Sequence, residues 1–392
     1  MRFRVENWNN FAFGAPRNPN DSFLLWRMKT HTDFHFGDNF RVFLEGKSAL
    51  AADRTLPGGR RTVDVDSVAL QQAFFDVRIP VSGDVSLTIR PGRQELLMGK
   101  QRLISPLPWS NSLRTWDGVT SDLAFADWHV NGFWTQFAPV SKYGFNRSDS
   151  GDRLFGIYGS GKVAGFELDL YWLGIARDAA TFNGTSGAEE RHLFGGRLSG
   201  DLPGIHADFE LEGGRQTGSV GAGHVNAFFF AGLLGRRLPD VPWKPRLYLG
   251  FDYASGDGEA GGDVGTFNQL FPLGHAYFGF IDLVGRQNII DFSQGAAVHP
   301  HRQLTFKIDS HFFWRASTAD ALYNSAGNVV RAGASGSSRQ IGNEIDVTAT
   351  YDFDRHFMVL LGYSHLYSGD FIEESGSADD INFSYLMFQY TF

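Results

Sequence analysis

The chain has 392 residues with 47 Gly against 14 Pro, 37 Phe, 5 Met and no Cys, a strand-and-turn composition that argues against a mainly helical fold. The missing cysteines exclude disulfide frameworks, thiolate metal sites and cysteine nucleophiles. A net charge of −8 leaves no nucleic-acid footprint, and a mean hydropathy of −0.22 without a long apolar run excludes a transmembrane helix but not a transmembrane barrel, whose strands are half polar.

The chain opens Met1-Arg2-Phe3-Arg4 with no apolar signal core, so an exported protein is expected to have lost its signal from this sequence, and residues 1–392 read as one domain. Period-2 alternation then predicts strands near 1–8, 23–36, 40–49, 68–79, 85–98, 113–125, 128–140, 153–162 and 165–177. It continues with 190–200, 205–216, 225–238, 244–255, 288–299, 303–317, 343–352, 356–368 and 381–392, 18 strands in all. Trp26-Arg27-Met28-Lys29, Phe40 to Glu45, Ala207 to Glu212 and Phe306 to Arg315 show the pattern, one face apolar and the other mostly charged. Short links near 37–39, 82–84, 126–127, 163–164, 201–204, 239–243, 300–302 and 353–355 alternate with long ones near 9–22, 50–67, 99–112, 141–152, 178–189, 217–224, 256–287, 318–342 and 369–380. Eight tight turns at one end and nine loops at the other fit an all-β, closed antiparallel transmembrane β-barrel, with short periplasmic turns and long extracellular loops in a bacterial outer membrane. No 40–50-residue repeat marks a propeller, and the wet-faced strands are too many for one sandwich. The final strand ends on Phe392, resembling the aromatic signal read by the barrel assembly machinery.

In such a barrel the apolar face meets lipid, because Arg or Lys on that face at mid-membrane costs roughly 2–4 kcal/mol. Charged residues are therefore expected inside. Residues 1–120 hold 16 Lys+Arg and 12 Asp+Glu, leaving 35 − 16 = 19 against 43 − 12 = 31 for the rest. Arg2, Arg4, Arg27, Lys29, His31, Arg41, Lys47 and Arg90 form a basic wall, faced by Glu167, Asp169, Asp208, Glu210, Glu212, Asp252, Asp309, Glu344 and Asp346. Lumen charges of both signs pair across a wet interior or set a field for an anionic solute.

Two blocks stand out. Gly92-Arg93-Gln94-Glu95-Leu96, Gly99-Lys100-Gln101-Arg102-Leu103, Trp109-Ser110-Asn111 and Arg114-Thr115-Trp116-Asp117-Gly118 form the first. Phe267 to Gly279, with Asp282 and Arg286-Gln287-Asn288, form the second. Together they resemble the alginate export family of outer-membrane porins. The resemblance implies an 18-stranded barrel with an arginine-rich constriction that passes a polyuronate or related anionic saccharide outward by diffusion, with outer-membrane lipid around it and no cofactor. The expected constriction comprises Arg27, Lys29, Arg41, Lys47, Arg90, Arg93, Arg102, Arg114, His275 and Arg286. Forked, permanently charged guanidinium donors suit carboxylates, although Arg93, Arg102, Arg114 and Arg286 could instead pair among Glu95, Asp117 and Asp282 and pin the loops. An uptake porin for small organic acids or oligosaccharides is the alternative.

Enzymatic features are incomplete. Gly156 to Lys162 reads as a phosphate loop until Val163 takes the hydroxyl position, and a strand follows it. Ser364 and His365 are neighbours in a strand and point to opposite faces, which argues against a hydrolase. His299 and His301 lack a third metal ligand, and the acidic glycine run from Ser255 to Asp263 lacks calcium-loop spacing.

Overall fold

The computed structural model describes all 392 residues. Its strands are β1 (Arg2–Asn9), β2 (Asp21–Phe36), β3 (Phe40–Ala52), β4 (Asp66–Ser82), β5 (Val85–Gln94), β6 (Trp116–Phe125) and β7 (Trp128–Phe137). There follow β8 (Asp152–Val163), β9 (Phe166–Phe182), β10 (Thr185–Leu202), β11 (Ala207–Val220), β12 (Gly223–Arg237), β13 (Arg246–Ala254), β14 (Ile289–His301) and β15 (Leu304–Arg315). The last are β16 (Leu322–Tyr323), β17 (Val329–Arg331), β18 (Gln340–Asp352), β19 (Phe357–Ser368) and β20 (Ile381–Tyr390). Eighteen of them form one antiparallel sheet; β16 and β17 make a separate ribbon within the β15–β18 link. β1 pairs with β2 on one side and with β20 on the other, Phe3 opposite Phe388, so the sheet closes and no strand edge is left to pair elsewhere.

Alternation decides the two faces as expected. In β1, Arg2, Arg4, Glu6 and Trp8 are buried inside while Phe3 and Val5 lie on the outer surface. In β15, Phe306 and Ile308 are exposed outward, and Asp309, His311, Phe313 and Arg315 are buried in the lumen. Gly156 to Lys162 lies within β8, and the Ser364 hydroxyl is buried inside whereas His365 bonds Asn382 on the other face.

The long-loop end departs from expectation in three ways. First, 178–189 and 217–224 are not loops. β9 and β10 run on until only Asn183-Gly184 separates them, with φ of 40° and 89°, and β11 and β12 are joined through Gly221-Ala222. Asn-Gly supplies the two positive φ values of a tight hairpin, so small and polar residues such as Ala180, Thr181 and Ser186 stay in the ladder despite their low apolarity. Second, the strands expected at 85–98 and 113–125 are shorter: β5 stops at Gln94 and β6 starts at Trp116. The intervening segment turns into the lumen. Third, this half of the lumen holds an apolar core alongside its buried charges. Leu96, Leu103, Ile104, Phe267, Phe271, Phe278, Ile281 and Val284 from two links pack against Trp8, Phe23, Trp116, Leu154, Phe229 and Phe313 of the wall. Inward-folded links bring their own apolar side chains, and part of the wall facing them is apolar to match. Phe392 lies beyond β20, fully exposed, and the closing ladder is made by residues 382–389 instead.

Candidate functional site

The first motif block enters the lumen because Gly92 and Gln94 end β5 and no partner strand takes residues 95–115. Its far side is clasped by the basic wall. Arg2 donates to the carbonyls of Pro108 and Ser110 at 2.8 and 2.9 Å, and to Asn111 Oδ1 at 3.2 Å. Arg27 donates to the same two carbonyls at 3.1 and 2.7 Å, and Arg4 to the Trp109 carbonyl at 2.8 Å. Asn111 Nδ2 in turn reaches the carbonyls of Trp26, Leu50 and Asp64.

The second block, in the β13–β14 link, lies against the first. Ile104 bridges Phe271, through Ser105 N–H to the Phe271 carbonyl and Phe271 N–H to the Leu103 carbonyl, each at 2.9 Å. Trp109 is sandwiched between the Arg4 guanidinium, 3.9 Å from its ring centre, and the His275 ring, stacked at 3.8 Å. His275 is thus an aromatic platform, with Nδ1 at 3.3 Å from Asp282. The loop apex hangs on acid: Ile281 N–H donates to Glu344 Oε1 at 2.9 Å and Phe280 N–H to Asp346 Oδ1 at 3.4 Å. Gly279, at φ 80°, allows this approach, since a Cβ there would stand 2.3 Å from Glu344 Oε1.

Of the ten expected constriction residues, His275 stacks on Trp109 as above, and the other nine fall into two groups. Lys29 meets Glu45 and Glu95, Lys47 meets Asp66, Arg41 meets Asp33 and Asp76, Arg90 meets Asp76, and Arg93 meets Asp117 directly across β5 and β6. Arg102 pairs with Glu210 and Glu212 of β11, and Arg286 forks onto Asp252 of β13 at 2.6 and 3.0 Å while donating to the Arg102 carbonyl. Arg286 therefore takes Asp252, not Asp282. The second group has no carboxylate within 4 Å: Arg27, bound to carbonyls as above, and Arg114, which donates to the Pro272 carbonyl at 2.9 Å. Arg2, outside the expected set, joins them. A carbonyl satisfies the N–H groups but leaves the positive charge without a counter-ion in contact. Burial, with Arg177 nearby, brings the Arg114 guanidinium down to about 10, still charged at neutral pH.

Two cavities lie beside the links. On one side a cavity of about 360 Å3 lies between residues 97–100 and the inner faces of β7, β8 and β9. On the other, about 170 Å3 remains between the 275–280 segment and the wall carrying Asp252, Asp291, Asp309 and His311. There the acids are tied internally, Asp309 to the Tyr248 hydroxyl at 2.5 Å and Asp291 to His311 at 2.9 Å.

The sequence pattern of the alginate export family matches residues 1–384. The chain belongs to that family. Among solved structures it is similar to Pseudomonas aeruginosa OccK5 (OpdH), with TM-score 0.63 at 12% identity over 99% of this chain and 96% of that one. Pseudomonas aeruginosa OccK2 (OpdF) in complex with glucuronate gives 0.61 at 13% identity, covering 99% and 96%. Acinetobacter baumannii OccAB2 gives 0.62 at 11% identity, covering 100% and 97%. No curated protein matches in sequence. At such identities the likeness is one of fold, an 18-stranded outer-membrane porin barrel. This alginate export family member is accordingly an outer-membrane channel, with its short turns toward the periplasm and its long links outward.

Sequence reasoning found both blocks but not Arg2 or Arg4 as their anchors, nor the docking role of Asn111. The signal available was Arg2 and Arg4 alternating with Phe3 and Val5, which places two guanidinium groups on one inner face.

Proposed function

We propose that this channel passes an anionic saccharide, an alginate-like polyuronate or its fragments, by diffusion and in the outward direction. The observation that carries the reading is the trio Arg2, Arg27 and Arg114, whose charges meet carbonyls instead of carboxylates around the inserted links. Their field acts at short range, since screening at physiological salt extends about 8 Å. Family membership supports the same class of solute. A second reading, uptake of small acids such as single uronates, is favoured by one observation: the spaces beside the links are of about 360 and 170 Å3, the scale of one or two sugar units rather than a chain.

Planar-bilayer recording tests both. The expected result is anion preference that weakens at high salt, and current block by soluble polyuronate exceeding that by a neutral glycan of equal size. Cation preference would remove the physical basis of the assignment. Block by monomeric uronate without any by polymer would favour the small-acid reading.

A further inference from the structure

The 360 Å3 cavity at the short-turn end has a lining that the packing of the links does not consume. Its floor is the lumen segment Leu97 to Lys100. Gly99, at φ 52°, lets this segment press on β8, because a Cβ there would stand 2.3 Å from the Tyr158 hydroxyl oxygen. The Tyr158 hydroxyl is already committed to Asp169 at 2.8 Å, and Asp169 also receives Arg197 at 2.8 Å. These three form a closed, rigid back wall.

Two cations in front of it are free. Lys162 lies directly opposite Glu167 in the β8–β9 ladder, where a cross-strand ion pair is the ordinary outcome. Glu167 instead leans to Arg197 at 3.5 Å with its side chain 57% exposed, and Lys162 has no carboxylate within 4 Å. Lys100 is likewise unpaired; its backbone carbonyl accepts the Tyr277 hydroxyl at 2.5 Å while its side chain opens onto the cavity. Asn131 and Ser160 add neutral donors and acceptors, and Leu97 and Met98 add an apolar patch.

We propose that this cavity is a binding subsite for one uronate unit of an acidic saccharide, held at the periplasmic mouth of the channel. Lys100 and Lys162 meet the sugar carboxylate as point charges. Glu167 and Asn131 accept from its hydroxyl groups, and Leu97 and Met98 cover its C–H face. The mixed lining favours a sugar acid over a simple inorganic anion, because Glu167 and Asp127, which repel any anionic group, can accept from sugar hydroxyls that an inorganic anion lacks. The subsite rests on the reading of the channel as a path for anionic saccharides, and it adds where such a solute pauses.

The test is block of single channels by trigalacturonate added from the short-turn side, with maltotriose as the neutral comparison. In the wild type, trigalacturonate blocks more strongly than maltotriose. Lys100→Gln and Lys162→Gln each weaken the trigalacturonate block by about tenfold, the scale of one charge-assisted hydrogen bond, with maltotriose unchanged. Both side chains are exposed, so folding, read from heat-modifiable gel mobility, is unaffected. Lys244→Gln, at the same mouth in the β12–β13 turn but outside the cavity, leaves block unchanged. If the two cavity variants block like the wild type, or Lys244→Gln weakens block equally, the subsite is overturned while the channel reading stands. If wild-type channels do not separate trigalacturonate from maltotriose, the channel reading fails and takes the subsite with it.

Discussion

The guanidinium groups of this channel differ by what accepts their hydrogen bonds, and under the proposed function that difference separates residues that hold the fold from residues that set selectivity. Arg286 is fully buried with Asp252 as its forked partner, so removing one member strands the other in a low-dielectric interior. Asp252→Asn or Arg286→Met should lower the stability of the folded barrel by about 3–5 kcal/mol, measurable as a shift in urea-unfolding midpoint in detergent. An unshifted midpoint would show that water reaches the pair. Arg27 and Arg114, bound to carbonyls, behave differently: Arg27→Gln with Arg114→Gln keeps hydrogen-bond donors but removes two charges. Reversal potentials in a salt gradient should then move toward cations with little loss of stability, and an unmoved potential would place the selective field elsewhere. The sequence marked these residues as functional arginines but could not sort them. Asp252 lies 34 positions from Arg286, whereas Asp282 lies close by and was the natural guess. Partner choice across a closed sheet depends on register, which residue types alone do not encode.

At the level of strands, alternation made almost everything legible, since one face must meet lipid and the other must not. What alternation hid was how deep the lumen is filled. Along β15, Lys307 has its side chain 40% exposed, while Asp309 and His311 are buried beneath the second link and tied to Tyr248 and Asp291. Single cysteines introduced into this cysteine-free chain test the gradient. A charged thiol reagent should label position 307 quickly and position 309 or 311 much more slowly, whereas positions 306 and 308 should be protected in bilayers by lipid. Equal rates at 307, 309 and 311 would mean that the links are not seated in the lumen. The extended β9–β10 and β11–β12 hairpins follow the same logic in reverse. Their outer ends carry Thr, Ser and Ala, which read as loop because no lipid selects for apolarity there, and the Asn183-Gly184 turn was the overlooked sign that the ladder continued.

For the whole molecule, the decisive relation is between a barrel that closes on its own and two links that fold into its lumen. The ladder from β1 through β20 is complete without residues 99–112, which contribute no strand to it. Folding of the wall and constriction of the path are therefore separable. Replacing 99–112 by a short Gly/Ser link should leave an assembled, heat-modifiable barrel, because each wall strand keeps both neighbours. The charges set free, Arg2, Arg4 and Arg27 on one side and Glu210 and Glu212 on the other, would face a wider lumen and become hydrated. Conductance should rise severalfold. Ion preference should decline at the same time, since the middle of a lumen wider than about 8 Å in every direction from its charges is screened at physiological salt. The net charge of −8 then matters more than it does in the native channel, where the proposed path runs beside the carbonyl-bound arginines. If conductance stays at the native value while the barrel remains folded, the current does not pass where the two links meet, and the Arg2, Arg27 and Arg114 cluster is scaffolding for the loops instead of the source of selectivity.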